Sequence, residues 1–140
     1  MRRIPIILLV DDGETASFLH QRLLFRLNVS DQVLVASNGA QALEILTRPN
    51  ARFSPARSVL ALLDLHMPVL NGFESFEAFR ALPPIQQRCA VVVLLTSSLS
   101  TQDIDHCNTL PIAGSVNKPL DKVRIDTLLH LHFAPLVTAE

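Results

Sequence analysis

The sequence predicts an α/β fold, a single doubly wound parallel sheet of five strands with helices on both faces. Three observations predict it. Short runs rich in Val, Ile and Leu recur at residues 6–10, 33–36, 59–63, 91–95 and 112–116. They lack polar alternation, which suits strands covered on both faces. The segments between them carry helical spacing, and strands alternating with helices of this length return by right-handed crossovers to lie parallel.

Taken in order, the first run follows Arg2 and Arg3 in the manner of a secretion signal, but Asp11 and Asp12 end it without a small-residue cleavage site. It reads as a buried strand. Ala16, Leu19, Leu23 and Leu27 then form one apolar helical stripe against the sheet, with His20 on the helix surface. A second helix over 39–46 carries Ala42, Leu43 and Leu46 in step. Residues 47–58, with Pro49, Asn50 and Pro55, read as a long surface loop. A third helix over 72–82 turns Phe73, Phe76 and Phe79 or Arg80 inward, and Pro83 and Pro84 stop it. A weak helix over 100–110, opened by Ser100 or Thr101, holds His106 on its surface. The last helix, over 121–132, carries Leu128 and Leu129, with His130 and His132 near its end, where a cation meets the helix dipole favourably. This gives one domain over 4–133 and a short tail over 134–140.

Composition narrows the function. The 140 residues, 49% hydrophobic and 18% charged, suit one compact soluble domain, since a chain of this size buries roughly 68% of its unfolded surface. Twelve Lys and Arg against thirteen Asp and Glu give a net charge of −1, so no long-range field attracts phosphate backbones or anionic lipid. Seven Phe without Tyr or Trp leave few stacking platforms for single-stranded nucleic acid. Neither nucleic acid nor membrane is an expected partner. Cys89 and Cys107 have neither CxxC spacing nor a His at zinc-finger distance, and a reduced cytoplasmic thiol is the expectation.

In an open parallel sheet the crevice lies beyond the carboxyl ends of the strands. The first apolar run ends in Asp11-Asp12, the third in Asp64, the fourth in Thr96-Ser97 and the fifth in Asn117-Lys118-Pro119. Three carboxylates, a hydroxyl and an ammonium thus meet at one rim. Carboxylates about 5 Å apart repel by about 3 kcal/mol per pair at an effective dielectric of 20. Lys118 offsets one charge, and a hard cation such as Mg²⁺, bound through carboxylates and waters, offsets the rest. A carboxylate in that setting can attack a phosphoryl group, because phosphoryl transfer needs mainly positioning and charge neutralisation. Taken singly, each feature has an ordinary explanation. Asp11-Asp12 could end a strand and cap a helix, Asp64 could open a turn, Thr96 could cap a helix and Lys118 could be a solvated charge. Their coincidence in order carries the functional reading.

Val10-Asp11-Asp12, the segment Leu63-Asp64-Leu65-His66-Met67-Pro68-Val69-Leu70-Asn71-Gly72, Leu95-Thr96-Ser97 and Lys118-Pro119 together resemble the signature of response-regulator receiver domains of two-component signalling. The resemblance spans nearly the whole chain. It implies a flavodoxin-like strand order 2-1-3-4-5. It also implies Asp64 as phosphoacceptor, with Mg²⁺ held by Asp12 directly, Asp11 through water, the side chain of Asp64 and the backbone carbonyl of His66. Thr96 and Lys118 would contact phosphoryl oxygens, and Pro119 would follow a cis bond that aims Lys118 inward. The side chain of His66 would influence water access. The expected donor is a sensor histidine kinase or histidine phosphotransfer protein. The expected output is binding of a protein target through the face made by the fourth helix (100–110), the fifth strand and the last helix.

The resemblance implies a stand-alone cytoplasmic switch that would catalyse only its own aspartyl phosphorylation and dephosphorylation. One departure supports an alternative. Ser115, three residues before Lys118, stands where the family usually carries a Phe or Tyr whose rotamer reports phosphorylation, so a non-switching interaction module is the rival reading. A phosphatase with an aspartyl nucleophile would need a second Asp two residues after the first, where His66 stands, and dinucleotide binding lacks its Gly-x-Gly-x-x-Gly.

Overall fold

A computed structural model of the chain describes residues 4–47, 59–65, 67, 71–96, 105, 114–117 and 120–137. Its elements run β1 (Ile4–Val10), α1 (Glu14–Leu27), β2 (Ser30–Ala36), α2 (Gly39–Thr47), β3 (Val59–Asp64), α3 (Gly72–Arg80), α4 (Pro84–Gln87), β4 (Ala90–Thr96), β5 (Gly114–Asn117) and α5 (Lys122–Val137). The five strands form one sheet in the order β2-β1-β3-β4-β5, and every neighbouring pair is parallel. This is the expected doubly wound architecture.

The strands behave as their composition requires. All six residues of β3 are buried, as are all of β1 except Pro5, because both faces of the central strands are covered. Leu8, Val10, Ala61 and Leu63 pack with Ala42 and Ile45 of α2 and Phe73, Phe76 and Phe79 of α3. Ile7, Leu9, Leu60 and Leu62 face the opposite side, with Leu24 of α1 and Ile125, Leu128 and Leu129 of α5. Strand β2 begins three residues earlier than its apolar run, because Ser30 to Gln32 pair with β1 at the sheet edge, where the side chains of Asp31 and Gln32 reach water.

Helix α1 differs from expectation in its rotation. The buried line is Ser17, His20 and Leu24, with Leu23 and Leu27 half-buried beside it. His20 is therefore in the interior rather than on the helix surface, and Leu19 is 56% exposed rather than inward. The cause is the distribution of apolar side chains around α1. Phe18, Leu19 and Phe25 form a second apolar face, so spacing alone does not fix which face meets the sheet. Asn28 ends the helix with φ 54° and ψ 46°, its amide donating to the carbonyls of Leu24 and Phe25 at 3.0 and 3.1 Å.

Caps fix the other helices. At the start of α2 the Asn38 Oδ1 accepts the Gln41 amide at 2.8 Å and the Gln41 Oε1 accepts the Ser37 amide at 2.6 Å. Helix α3 stops at Arg80, two residues short of the expected end, with Phe79 buried and Arg80 exposed. Pro83 and Pro84 do stop it, but Pro84 also opens the single turn α4, since its ring suits the first helical position. In α5 the Asp121 Oδ1 caps the helix by accepting the Arg124 amide at 2.8 Å. This helix continues to Val137, four residues into the segment read as a tail. His130 and His132 thus lie inside it, away from the last turn where a dipole effect operates. Residues 48–58, most of the expected helix over 100–110, including Ser100, Thr101 and His106, and Cys107 lie outside the described residues.

Candidate functional site

The site is built from strand ends. Val10 of β1 pairs with Leu63 of β3, so the next step on each strand, Asp11 and Asp64, stands side by side at the carboxyl edge. Asp64 in turn pairs with Leu95 of β4, which puts Thr96 one step further along the neighbouring strand. The ladder continues into the rim. The Asp11 amide donates to the Ala36 carbonyl at 3.1 Å and the Leu65 amide to the Leu95 carbonyl at 2.8 Å. Both acids therefore sit on backbone fixed from two sides.

Asp11 and Asp64 are 6% and 5% exposed, Thr96 is fully buried, and Asp12 is open to solvent. One carboxylate oxygen from each of Asp11, Asp12 and Asp64 lies within 4.8 Å of the others. The Asp11 Oδ1 accepts the Gly13 amide at 2.8 Å, just before the chain enters α1. The first helix is capped at Gly13 without any side-chain bond, so the acidic pair does not serve as its cap. Three hard oxygen donors this close, two of them buried, fit a divalent cation such as Mg²⁺. Asp11, Asp12 and Asp64 could hold it.

The other predicted residues divide. Thr96 stands at the same edge, opposite Asn117 of β5. Lys118 follows Asn117 in sequence but, with Ser97, His66 and Pro119, lies outside the described residues. Ser115 is exposed on β5 and pairs with Leu94.

Sequence reasoning passed over how the loop after Asp64 is held. Leu65 and Met67 are buried in the core. The Gly72 amide donates to the Leu65 carbonyl at 2.9 Å. A Cβ on Gly72 would lie 2.8 Å from the Leu65 Cα and 2.9 Å from the Asp64 carbonyl oxygen, so only glycine lets α3 come this close. Asn71 and Glu74 complete a capping box, with the Asn71 Oδ1 accepting the Glu74 amide at 2.8 Å and the Glu74 Oε1 accepting the Asn71 amide at 3.0 Å. The signal was present in the sequence as Asn-x-x-Glu at the start of the helix.

The family model described as the response regulator receiver domain matches residues 7–130. The chain belongs to this family. As a receiver domain it is 32% identical over 115 residues to the autoinducer 1 sensor kinase/phosphatase LuxN of Vibrio campbellii, covering 82% of this chain and 12% of that protein. It is 32% identical over 92 residues to the response regulator Rcp1 of Synechocystis, covering 66% of this chain and 62% of the relative. The receiver thus spans about an eighth of the first relative and under two thirds of the second. Among solved structures, a response regulator receiver protein from Dyadobacter fermentans matches with a TM-score of 0.78 and 25% identity, covering 89% of this chain and 94% of the other. The Vibrio cholerae chemotaxis protein CheY4 matches in fold with a TM-score of 0.72 at 24% identity, covering 91% and 97%. Among the described residues, no helix is long and apolar enough to cross a membrane.

Proposed function

We propose that this receiver is a phosphorylation switch in which Asp64 accepts a phosphoryl group from the phosphohistidine of a sensor kinase or phosphotransfer protein. The observation that carries this is the approach of the Asp11, Asp12 and Asp64 carboxylates to within 4.8 Å. One Asp64 oxygen attacks phosphorus, the P–N bond to the donor imidazole breaks, and its electron pair stays on the imidazole, leaving an acyl phosphate on Asp64. Mg²⁺ would be held by Asp12 directly, by Asp11 through water, and by Asp64 and the His66 carbonyl. When bound, the ion neutralises charge on the acids and the transferring oxygens. Thr96 donates its hydroxyl to one phosphoryl oxygen, Lys118 pairs with another, and the His66 side chain tunes access of hydrolytic water.

The names of the 32% identical relatives, a sensor kinase/phosphatase and a response regulator, support a kinase as donor. We assign the domain to residues 4–133, place it in the cytoplasm, and assign its output to a protein target bound by the face of residues 100–110, β5 and α5. Intact mass after incubation with acetyl phosphate and Mg²⁺ tests the switch. A phosphoryl adduct on the parent and none on Asp64→Asn is expected, and an unmodified parent with Mg²⁺ bound overturns it. The exposed Ser115 favours a second reading, an interaction module that does not switch. That reading predicts equal target affinity with and without acetyl phosphate.

A further inference from the structure

Gly13 stands where nothing in the backbone calls for glycine. Its φ of −88° and ψ of 115° are ordinary extended values that any L residue adopts. It occupies the N-cap of α1 without a side-chain bond, although Ser, Asn or Asp would cap the helix better. The helix thus forgoes a cap, and the chain carries the extra unfolded-state freedom of glycine. The surroundings of residue 13 give the reason. A Cβ there would lie 3.6 Å from the Ala16 Cβ, an ordinary contact, but 3.3 Å from the Asp11 Oδ1. That same oxygen accepts the Gly13 amide at 2.8 Å, so the Asp11 carboxylate lies against residue 13 and crowds the space that a side chain would claim.

We infer that Gly13 is a positioning residue for the divalent cation, its missing side chain letting the Asp11 carboxylate keep its place beside Asp12 and Asp64. The inference rests on the reading of these three acids as a Mg²⁺ site. A Cβ at 3.3 Å is relieved once the carboxylate swings away by a few tenths of an ångström. That costs the fold little, because a side-chain oxygen can move where backbone cannot. The site is less tolerant. Its three carboxylates approach to within 4.8 Å, and Asp11 is the member held by the residue-13 amide. Mg²⁺ demands near-ideal octahedral geometry, so a displaced acid, or a displaced water on it, costs affinity. Groups that orient a metal ligand govern affinity by about tenfold or more. A side chain at residue 13 therefore favours the empty domain and disfavours the loaded one.

Calorimetric titration of Mg²⁺ into the full chain, beside urea unfolding in chelator, tests this. Gly13→Ala is expected to weaken Mg²⁺ binding about tenfold, while its metal-free urea midpoint equals or exceeds the parent's, since alanine fits this backbone and has less freedom to lose on folding. Gly13→Ser, with the same Cβ and a hydroxyl able to cap α1, should lose affinity as well and unfold at a higher urea concentration than Gly13→Ala. A glycine with a merely structural role would give the reverse, a lower midpoint at unchanged affinity. Equal Mg²⁺ affinity of the parent and Gly13→Ala, or a metal-free midpoint of Gly13→Ala below the parent's, overturns the proposal and leaves the metal site standing. A parent that takes up no Mg²⁺ overturns the metal site itself and this inference with it.

Discussion

Gly72 rests directly on the backbone of Asp64. Its amide holds the Leu65 carbonyl at 2.9 Å, and a side chain in its place would meet the Asp64 carbonyl oxygen at 2.9 Å. The first residue of α3 is therefore packed against the backbone that carries the Asp64 side chain. At an ordinary first-turn position, Gly→Ala stabilises a helix by up to about 1 kcal/mol. Here the contact reverses the sign, because both opposing atoms are backbone and cannot swing aside. Gly72→Ala should destabilise the domain by about 1–3 kcal/mol, read as a lower urea midpoint at unchanged slope.

The acidic cluster predicts opposite responses with and without metal. Mutual repulsion of Asp11, Asp12 and Asp64 opposes folding when no cation is bound, and the exposure of Asp12 screens part of it. Asp64→Asn should raise metal-free stability by about 1–3 kcal/mol. In the parent, Mg²⁺ at a hundred times its dissociation constant should add about 2.7 kcal/mol, and the variant should lose most of that gain. Thermal unfolding in chelator and in Mg²⁺ measures both effects, and a parent indifferent to Mg²⁺ would refute the assignment.

The capping box of α3 holds the far end of the loop that begins at Asp64. Asn71→Ala removes the acceptor for the Glu74 amide and should cost about 1 kcal/mol. Asn71→Asp keeps an acceptor and adds charge at the helix start, so it should stay close to the parent. Urea unfolding of the three proteins side by side decides this.

Asn28 is the one non-glycine residue with positive φ among the described residues. Asn28→Ala should destabilise by about 1 kcal/mol, because Ala lacks the short polar side chain that lets Asn tolerate the left-handed region, whereas Asn28→Gly, with no Cβ, should match or exceed the parent. Equal stability of the Ala and Gly variants would contradict the αL assignment.

Much of this was legible because strand ends and rim residues are adjacent in sequence. Once residues 6–10 and 59–63 are read as strands, Asp11 and Asp64 must fall at the same edge, and parallel pairing brings Thr96 to it as well. The rotation of α1 was not legible, since Phe18, Leu19 and Phe25 give the helix apolar residues on two faces and hide the inward one of Ser17, His20 and Leu24. Nor was the close approach of Gly72, because a glycine in an Asn-Gly pair reads first as a turn. The cap at Asp121 is a local hydrogen bond, and the end of α5 at Val137 is a helix boundary, neither of which hydrophobic period encodes.

The sheet acts as a partition. Along β1, Leu8 and Val10 belong to one apolar compartment and Ile7 and Leu9 to the other, with the peptide plane between them. Trimming Ile45 beneath α2 and Leu128 beneath α5 should therefore give losses that sum, as expected for sites that share no neighbour. The two halves of the interior can then drift independently in sequence, while the acids at their common border stay where the strands end.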